Sequence, residues 1–459
     1  MKNSRNDVEI LTRFTELKTT TIPASPSKSY SHRAFILASL AETPSKIIEP
    51  LEKGDLSVSI DFCHTIGAKI TQTTEQQLSV YTIEPASGPT PSESIIDGGN
   101  SGTSIRIMAA LSLLMKEPFE IYGEFFLRNR PLAPLLDALQ DLGVKHEFRE
   151  ADYKNGIRLI PRSPKPGIVQ IRGDISSQFI TALLITTPLL PPSVKRNSTN
   201  IALTTPLRSA GYVDITQEIM AAFGVTLEKQ QDEQSGLISY EIPAGQSYKG
   251  TDFRIPGDFS SAAFLMVLVA IKLQNYQGQE GMSPPTITFE NLNMENHQPD
   301  KVIVTLLQEM GATIEIKPNE KEIVFSPSGD LVGQVIDCGP CPDLFPILCI
   351  LATKSHGKTL ITNAAHVRHK ETDRIKVMVE QLGRAGVTIV EREEEVEIHG
   401  PQPIQGIQVN HYNDHRIAMA MSIGGLCAES GEKMVISQPE VVADSYPRFF
   451  EELKQFSAL

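Results

Sequence analysis

PGDFSSAAFLMVLVAI, residues 256–271, sets a polar, hydroxyl-rich start directly against an unbroken apolar run, and the same arrangement recurs along the chain. Apolar runs begin at Ala34, Ile107, Phe179, Phe264, Leu344 and Ile417, spaced 72 to 85 residues apart. Directly before them lie SPSKSYSHR (25–33), GGNSGTSIR (98–106), GDISSQ (173–178), PGDFSSAA (256–263), GPCPD (339–343) and YNDHR (412–416). Ser, Asn and Asp in such places accept hydrogen bonds from the first free amides of a helix, so each element predicts a helix N-terminus. A helix that is apolar on nearly every face belongs inside a core, and six of them predict helices packed within their domains.

Five of the six units continue into an amphipathic stretch that ends in glycine: HTIGAKI, DLGVKHEF, AFGVTLE, EMGATIEI and RAGVTIV, with the glycines at 67, 143, 224, 311 and 386. Glycine past the last turn suits a left-handed cap, and the alternation beyond it suits a strand. The repeat therefore reads helix, strands, amphipathic helix, strand. The sixth unit ends instead in SYPRFFEELKQF. Two sets of three units predict an α/β protein of two domains, 24–253 and 1–23 plus 254–459. The segment VEILTRFTELKTTT (8–21) is expected to complete the second domain, so that the chain crosses twice.

With 459 residues, 40% hydrophobic and 21% charged, the composition is that of an ordinary globular protein with more than one core. The formal net charge of -13 argues against nucleic acid or an anionic membrane as partner. The apolar runs are too short to span a bilayer, and the N-terminus lacks a signal core, so a cytoplasmic location is expected. Five cysteines at irregular spacing do not form a disulfide framework. Cys338-Gly-Pro-Cys341 copies a redox signature, but without its usual flanks it reads as a tight turn into a helix. Neither a P-loop nor G-x-G-x-x-G occurs, so no nucleotide cofactor is expected.

The helix starts carry the chemistry, because free amides and the positive end of the helix dipole attract anions. Lys28 and Arg33 belong to the first, Arg106 to the second and Arg416 to the sixth. Arg130 and the cluster Arg368, Lys370 and Arg374 follow the second and fifth. Mixed Arg and Lys fit phosphorylated carboxylates. Asp343, Glu371 and Asp373 stand among these cations, as ion-pair partners or as proton-handling groups.

At these residues the chain resembles the EPSP synthases, a family of enolpyruvyl transferases. SPSKSYSHR, GNSGTSIR (99–106), RNRP (128–131), ISSQFITALL (175–184), the Pro-Asp pair at 342–343, HKETDR (369–374) and YNDHRIAM (412–419) occur in the family's order across essentially the whole chain. The resemblance implies a two-domain inside-out α/β barrel of six βαβαββ repeats, three per domain, closing over its substrates. It implies transfer of the enolpyruvyl group of phosphoenolpyruvate (PEP) to the 5-hydroxyl of shikimate 3-phosphate, a step of the shikimate route to aromatic amino acids, without metal or other cofactor. Lys28, Ser29, Arg33, Ser176, Ser177, Gln178, Ser209, Asp343 and Lys370 would hold shikimate 3-phosphate. Lys28, Asn100, Gly102, Arg130, Gln178, Arg374 and Arg416 would meet PEP. Asp343 and Glu371, with Lys28 as a third participant, would handle the protons. A monomer is the expected state.

Two positions depart from the family pattern. Asp444 in ADSYP stands where a Lys is usual, and His366 stands where an Asn is usual. Asp444 is expected to point away from the pocket or to pair with a cation. The sister enzymes acting on UDP-N-acetylglucosamine present a Cys in a mobile loop, whereas Cys63 lies in the amphipathic DFCHTIG stretch and suits a core. His366, His369 and Glu371, and likewise His411, Asp414 and His415, have ligand-like spacing, but the interleaved Lys and Arg would repel a metal ion. A non-catalytic binding protein on the same fold is the remaining rival.

Overall fold

The computed structural model describes residues 7–11, 17–86, 95–127, 130–151, 154–276, 283–428 and 433–456. Part of the segment 8–21, residues 12–16, and the first two residues of RNRP lie outside that set.

Each apolar run forms a buried helix: α1 (Lys28–Leu40), α2 (Gly102–Leu111), α3 (Ser177–Thr186), α4 (Phe259–Leu273), α5 (Phe345–Lys354) and α6 (His415–Leu426). In α4 every residue but Lys272 is buried, so no face is left for solvent. Phe264 packs edge-on against Phe449, and truncating such a buried ring costs about 3–5 kcal/mol. Ser101, Ser176 and Asp414 cap their helices through side-chain oxygens. Ser27 and Asp258 precede theirs without a side-chain cap bond, and the fifth start is a short 3-10 turn, Pro342–Leu344, leading into α5.

The five glycines after the amphipathic helices all have positive φ, from 81° at Gly224 to 114° at Gly311, as a left-handed cap requires. Strands begin one to four residues later, at Lys69, Val144, Glu228, Thr313 and Ile389.

The chain divides into two compact units, Pro26–Ile255 and Met1–Ser25 with Pro256–Leu459. The divisions fall two residues beyond those read from the sequence. Ala24 N–H donates to Glu290 O and Ser25 O accepts from Asp258 N–H, which ties 24–25 to the second unit. Ile255 N–H donates to Ile48 O within the first.

Among the described residues the first unit shows three four-stranded sheets of one order. Ile95–Asp97 runs parallel to Phe119–Tyr122, which pairs antiparallel with Lys154–Pro161, followed by Val144–Ala151. Ile168–Ile171, Ser198–Leu203, Ile238–Pro243 and Glu228–Gln231 repeat this arrangement. In the remaining sheet the parallel partner of Ser45–Ile48 is Asp252–Arg254, from the far end of the unit. Among the described residues the second unit shows two sheets of the same order and a third of three strands. Thr20–Pro23 runs parallel to Ile287–Glu290, and Val8–Leu11 pairs antiparallel with Lys433–Ile436, so the N-terminal segment completes two sheets of this unit. Parallel neighbours joined through a buried helix bring that helix's N-terminus to the carboxyl end of the strand before it, where polar starts collect.

Candidate active site

In the unit Pro26–Ile255 the helix starts are tied to one another by side chains. Lys28, the first residue of α1, places its ammonium 2.5 Å from Asp55 Oδ2. Arg33, one turn further on, is buried among neutral acceptors: it donates to Thr216 Oγ1 (2.8 Å), Thr181 Oγ1 (3.2 Å), Ser29 O (2.8 Å) and Tyr212 O (3.1 Å). Burial lowers its pKa to about 10, against the opposing influence of Tyr212 and Tyr30. No carboxylate forms an ion pair with Arg33 among the described residues. Thr181 lies on α3, so this one guanidinium fastens α1 to α3.

At α2, Arg130 donates to Asn100 O at 2.9 Å. A Cβ on Gly102 would lie 2.7 Å from Arg130 Nη2 and 2.9 Å from Arg106 Nη1, so glycine here admits two guanidiniums against the helix start. Both guanidiniums lie 5.2 Å from the Phe125 ring centroid. Arg106 also stacks on Phe179 and donates to Gln178 Oε1, while Gln178 Nε2 donates to Thr103 Oγ1 at 3.0 Å. Ser176 Oγ accepts from Gln178 N–H at the start of α3, and Ser177 is its first residue. Ser209 takes a left-handed φ of 56° immediately before the helix Ala210–Ala222. Every residue expected in this unit from the family pattern thus stands at or just before a helix start or, for Arg33 and Arg130, reaches one.

In the other unit the carboxylates and cations interlock. Asp343 Oδ1 accepts from Arg374 Nη1 at 2.9 Å with Lys370 Nζ at 3.6 Å, and its Oδ2 lies 3.0 Å from Arg416 Nη2. Burial works against its charge, but Arg416, Lys370 and Arg374 together hold its pKa well below the ordinary carboxylate value. Arg374, 1% exposed, also donates to Glu371 Oε2 (2.7 Å) and through Nε to Asp414 Oδ2 (2.9 Å). Burial would lower its pKa, yet Asp414, Glu371 and Asp343 raise it. Arg368 instead turns to Asp373 and Glu391.

Two acids here escaped the sequence-based choice of site residues. Asp414 is fully buried, caps α6 by accepting from Arg416 N–H, and also accepts from Thr372 Oγ1 and Arg374. The helix-start position of YNDHR is the signal that marks it. Asp300, fully buried in the 3-10 turn Pro299–Lys301, accepts from Ser260 Oγ. Burial and the charge of Asp343 raise its pKa to about 7, against Arg416 and Ser260. Nothing in the local sequence distinguishes it.

The residues with ligand-like spacing spend their carboxylates on Arg374, and no group of three or more His, Cys, Asp or Glu suited to a metal ion occurs among the described residues. Cys341 lies beside Cys338 in a buried turn, where their mutual hydrogen bond and burial push its pKa well above the usual thiol value, opposite to a redox thiol. No described helix is long and apolar enough to cross a membrane.

The family profile of EPSP synthase (3-phosphoshikimate 1-carboxyvinyltransferase) matches residues 15–453. The chain belongs to the EPSP synthase family. The 3-phosphoshikimate 1-carboxyvinyltransferase of Methanocaldococcus jannaschii is 35% identical over 438 residues, covering 95% of each chain. That of Methanococcus aeolicus is 36% identical over 450 residues, covering 98% of this chain and 99% of its own. The solved EPSP synthase of Acinetobacter baumannii superposes with a TM-score of 0.75 over 98% of both chains at 23% identity, which establishes a shared mixed α/β fold. Within this EPSP synthase family member the unusual Asp444 ends the short helix Pro439–Asp444, half-buried, and His366 lies in the short helix Ala365–His369.

Proposed function

We infer that this chain transfers the 1-carboxyvinyl group of phosphoenolpyruvate to the 5-hydroxyl of 3-phosphoshikimate, releasing phosphate, as the step of the shikimate route that its family serves. The single observation that carries this reading at the site is the Asp343 carboxylate gripped by Arg374, Arg416 and Lys370, with Glu371 on the same Arg374. Such an arrangement fixes two carboxylates in position while supplying cations for the charge of phosphate and carboxylate groups.

In the first unit Lys28, Ser29, Arg33, Ser176, Ser177, Gln178 and Ser209 serve shikimate 3-phosphate, and in the second Asp343 and Lys370 join them. PEP engages Lys28, Asn100, Gly102, Arg130 and Gln178 of the first unit and Arg374 and Arg416 of the second. The buried Arg33, held by neutral acceptors alone, retains an uncompensated charge for an anion. In the reaction the 5-hydroxyl oxygen bonds to C2 of PEP, its proton leaves to a base, and C3 gains a proton. The tetrahedral intermediate then loses phosphate from C2 as C3 gives a proton back and the double bond reforms. Asp343 and Glu371 handle these protons, with Lys28 as the third participant. The repeated sheets and buried helices belong to an inside-out barrel of six βαβαββ units, three per domain, in a cytoplasmic monomer.

Phosphate release with both substrates present, and EPSP detected by mass, is the test. No release at saturating concentrations, with shikimate 3-phosphate still bound, would show a binding protein instead.

A further inference from the structure

His32 is 1% exposed and lies four residues after Lys28, on the same face of α1. Its Nδ1 is 2.8 Å from Ser59 Oγ, which is 2.8 Å from Ser104 Oγ, which is 2.8 Å from Ser101 Oγ. All four side chains are buried. Ser59 lies four residues beyond Asp55, so Lys28–Asp55 and His32–Ser59 form two successive rungs between α1 and the helix Leu56–Thr65. Ser101 is the residue before α2, whose side chain also accepts from Ser104 N–H, and Gly102 follows it. A line of hydrogen bonds therefore runs from beneath Lys28 to the start of α2.

Donor accounting fixes its direction. Among the described residues His32 Nε2 is buried without a hydrogen-bond partner. A buried N–H left unpaired is rarer and costlier than an unpaired acceptor, which favours the proton on Nδ1. His32 then donates to Ser59, Ser59 to Ser104 and Ser104 to Ser101, leaving the Ser101 hydroxyl proton to donate at the start of α2. The imidazole is held neutral: burial first, then Lys28 and Arg33, lower its pKa to about 3 against Asp55.

We propose that His32 is a positioning residue, an Nδ1–H donor that orients the hydroxyls of Ser59, Ser104 and Ser101 and so holds the α2 start in register with Lys28 for PEP. The proposal rests on the assignment of PEP to the α2 start given above. His32 touches no substrate itself.

The test is calorimetric titration of the full chain with shikimate 3-phosphate and then with PEP, comparing wild type, Ser59→Ala, His32→Leu and His32→Asn. Loss of one buried neutral hydrogen bond from the line is expected to weaken PEP about three- to tenfold in Ser59→Ala and His32→Leu. Shikimate 3-phosphate affinity is expected to stay within about twofold. His32→Asn, whose amide N–H replaces Nδ1–H, is expected to restore PEP binding. Nitrogen-15 spectra should show one neutral His32 tautomer, protonated at Nδ1. Wild-type PEP affinity in both Ser59→Ala and His32→Leu overturns the proposal. So does equal weakening of both ligands together with a lowered melting temperature, or an Nε2-protonated tautomer. Should His32→Leu fail to fold, Ser59→Ala decides alone. A wild type that binds both ligands but releases no phosphate refutes the transferase reading, and the same titration still judges the relay. A wild type that binds neither refutes both.

Discussion

Replacing Asp414 with Asn removes one charge and almost no volume, and isolates what the carboxylate does for Arg374. Asp414 Oδ2 accepts from Arg374 Nε at 2.9 Å and from Thr372 Oγ1 at 3.1 Å, and its Oδ1 lies 3.4 Å from Arg374 Nη2. Donor and acceptor are 1% and 0% exposed, so solvent does not screen the pair. A hydrogen bond to a charged group contributes about 1.5–3 kcal/mol, and removing one partner of a buried pair costs about 3–5 kcal/mol. Arg374 keeps Asp343 and Glu371, and Asn retains an oxygen for the Arg416 amide, so the loss falls below that ceiling. Asp414→Asn is therefore expected to destabilise the chain by about 2–4 kcal/mol. Urea unfolding followed by circular dichroism, with hydrogen exchange at the amides of α6, measures it. A loss below about 0.5 kcal/mol, the range of ordinary surface changes, would refute the reasoning.

Asp300→Asn should change how stability depends on pH. In the folded chain Asp300 keeps its proton to about pH 7, against an ordinary value of 3.8, so between these values the folded state binds the extra proton and loses stability as pH rises. The variant is expected to gain on wild type from about pH 4 to about pH 7 and to gain no more above it. Parallel unfolding curves at any two pH values in that window would contradict this. Arg130→Ala, which loses the contact to Asn100 O and the stacking on Phe125, is expected to lower kcat/KM for PEP by about 10²–10³-fold with the fold intact in circular dichroism. All five cysteines are free and buried, so an aromatic disulfide reagent should label none of them rapidly before denaturant is added. Rapid modification of Cys338 or Cys341 in the native protein would count against the buried turn.

What the sequence disclosed follows from the range of the forces involved. The runs from Ala34 to Ile417 disclose buried helices because a helix without a polar face has one place to go, and Gly67 to Gly386 mark the caps of the amphipathic helices because a left-handed φ is a local property. The positions of Gly102 and Gln178 at helix starts were legible for the same reason. Asp300 was not, because its environment comes from Ser260 and Asp343, some 40 residues away on either side. Arg33 was legible as a cation at a helix start, but not as the fastener of α1 to α3 through Thr181 and to the helix Ala210–Ala222 through Thr216. The division of the chain shifted by two residues because backbone bonds of Ala24, Ser25 and Ile255, invisible in side-chain patterning, decide which unit holds them.

The central claim is that C3 of PEP gains a proton and returns one while its C2 is bonded to the 5-hydroxyl. Turnover in deuterium oxide, followed by mass spectrometry of product and recovered PEP, tests it most directly. The account predicts deuterium in the vinyl group of the product, and its loss together with turnover in Asp343→Ala. Product formed at the normal rate with no deuterium at C3 would contradict it.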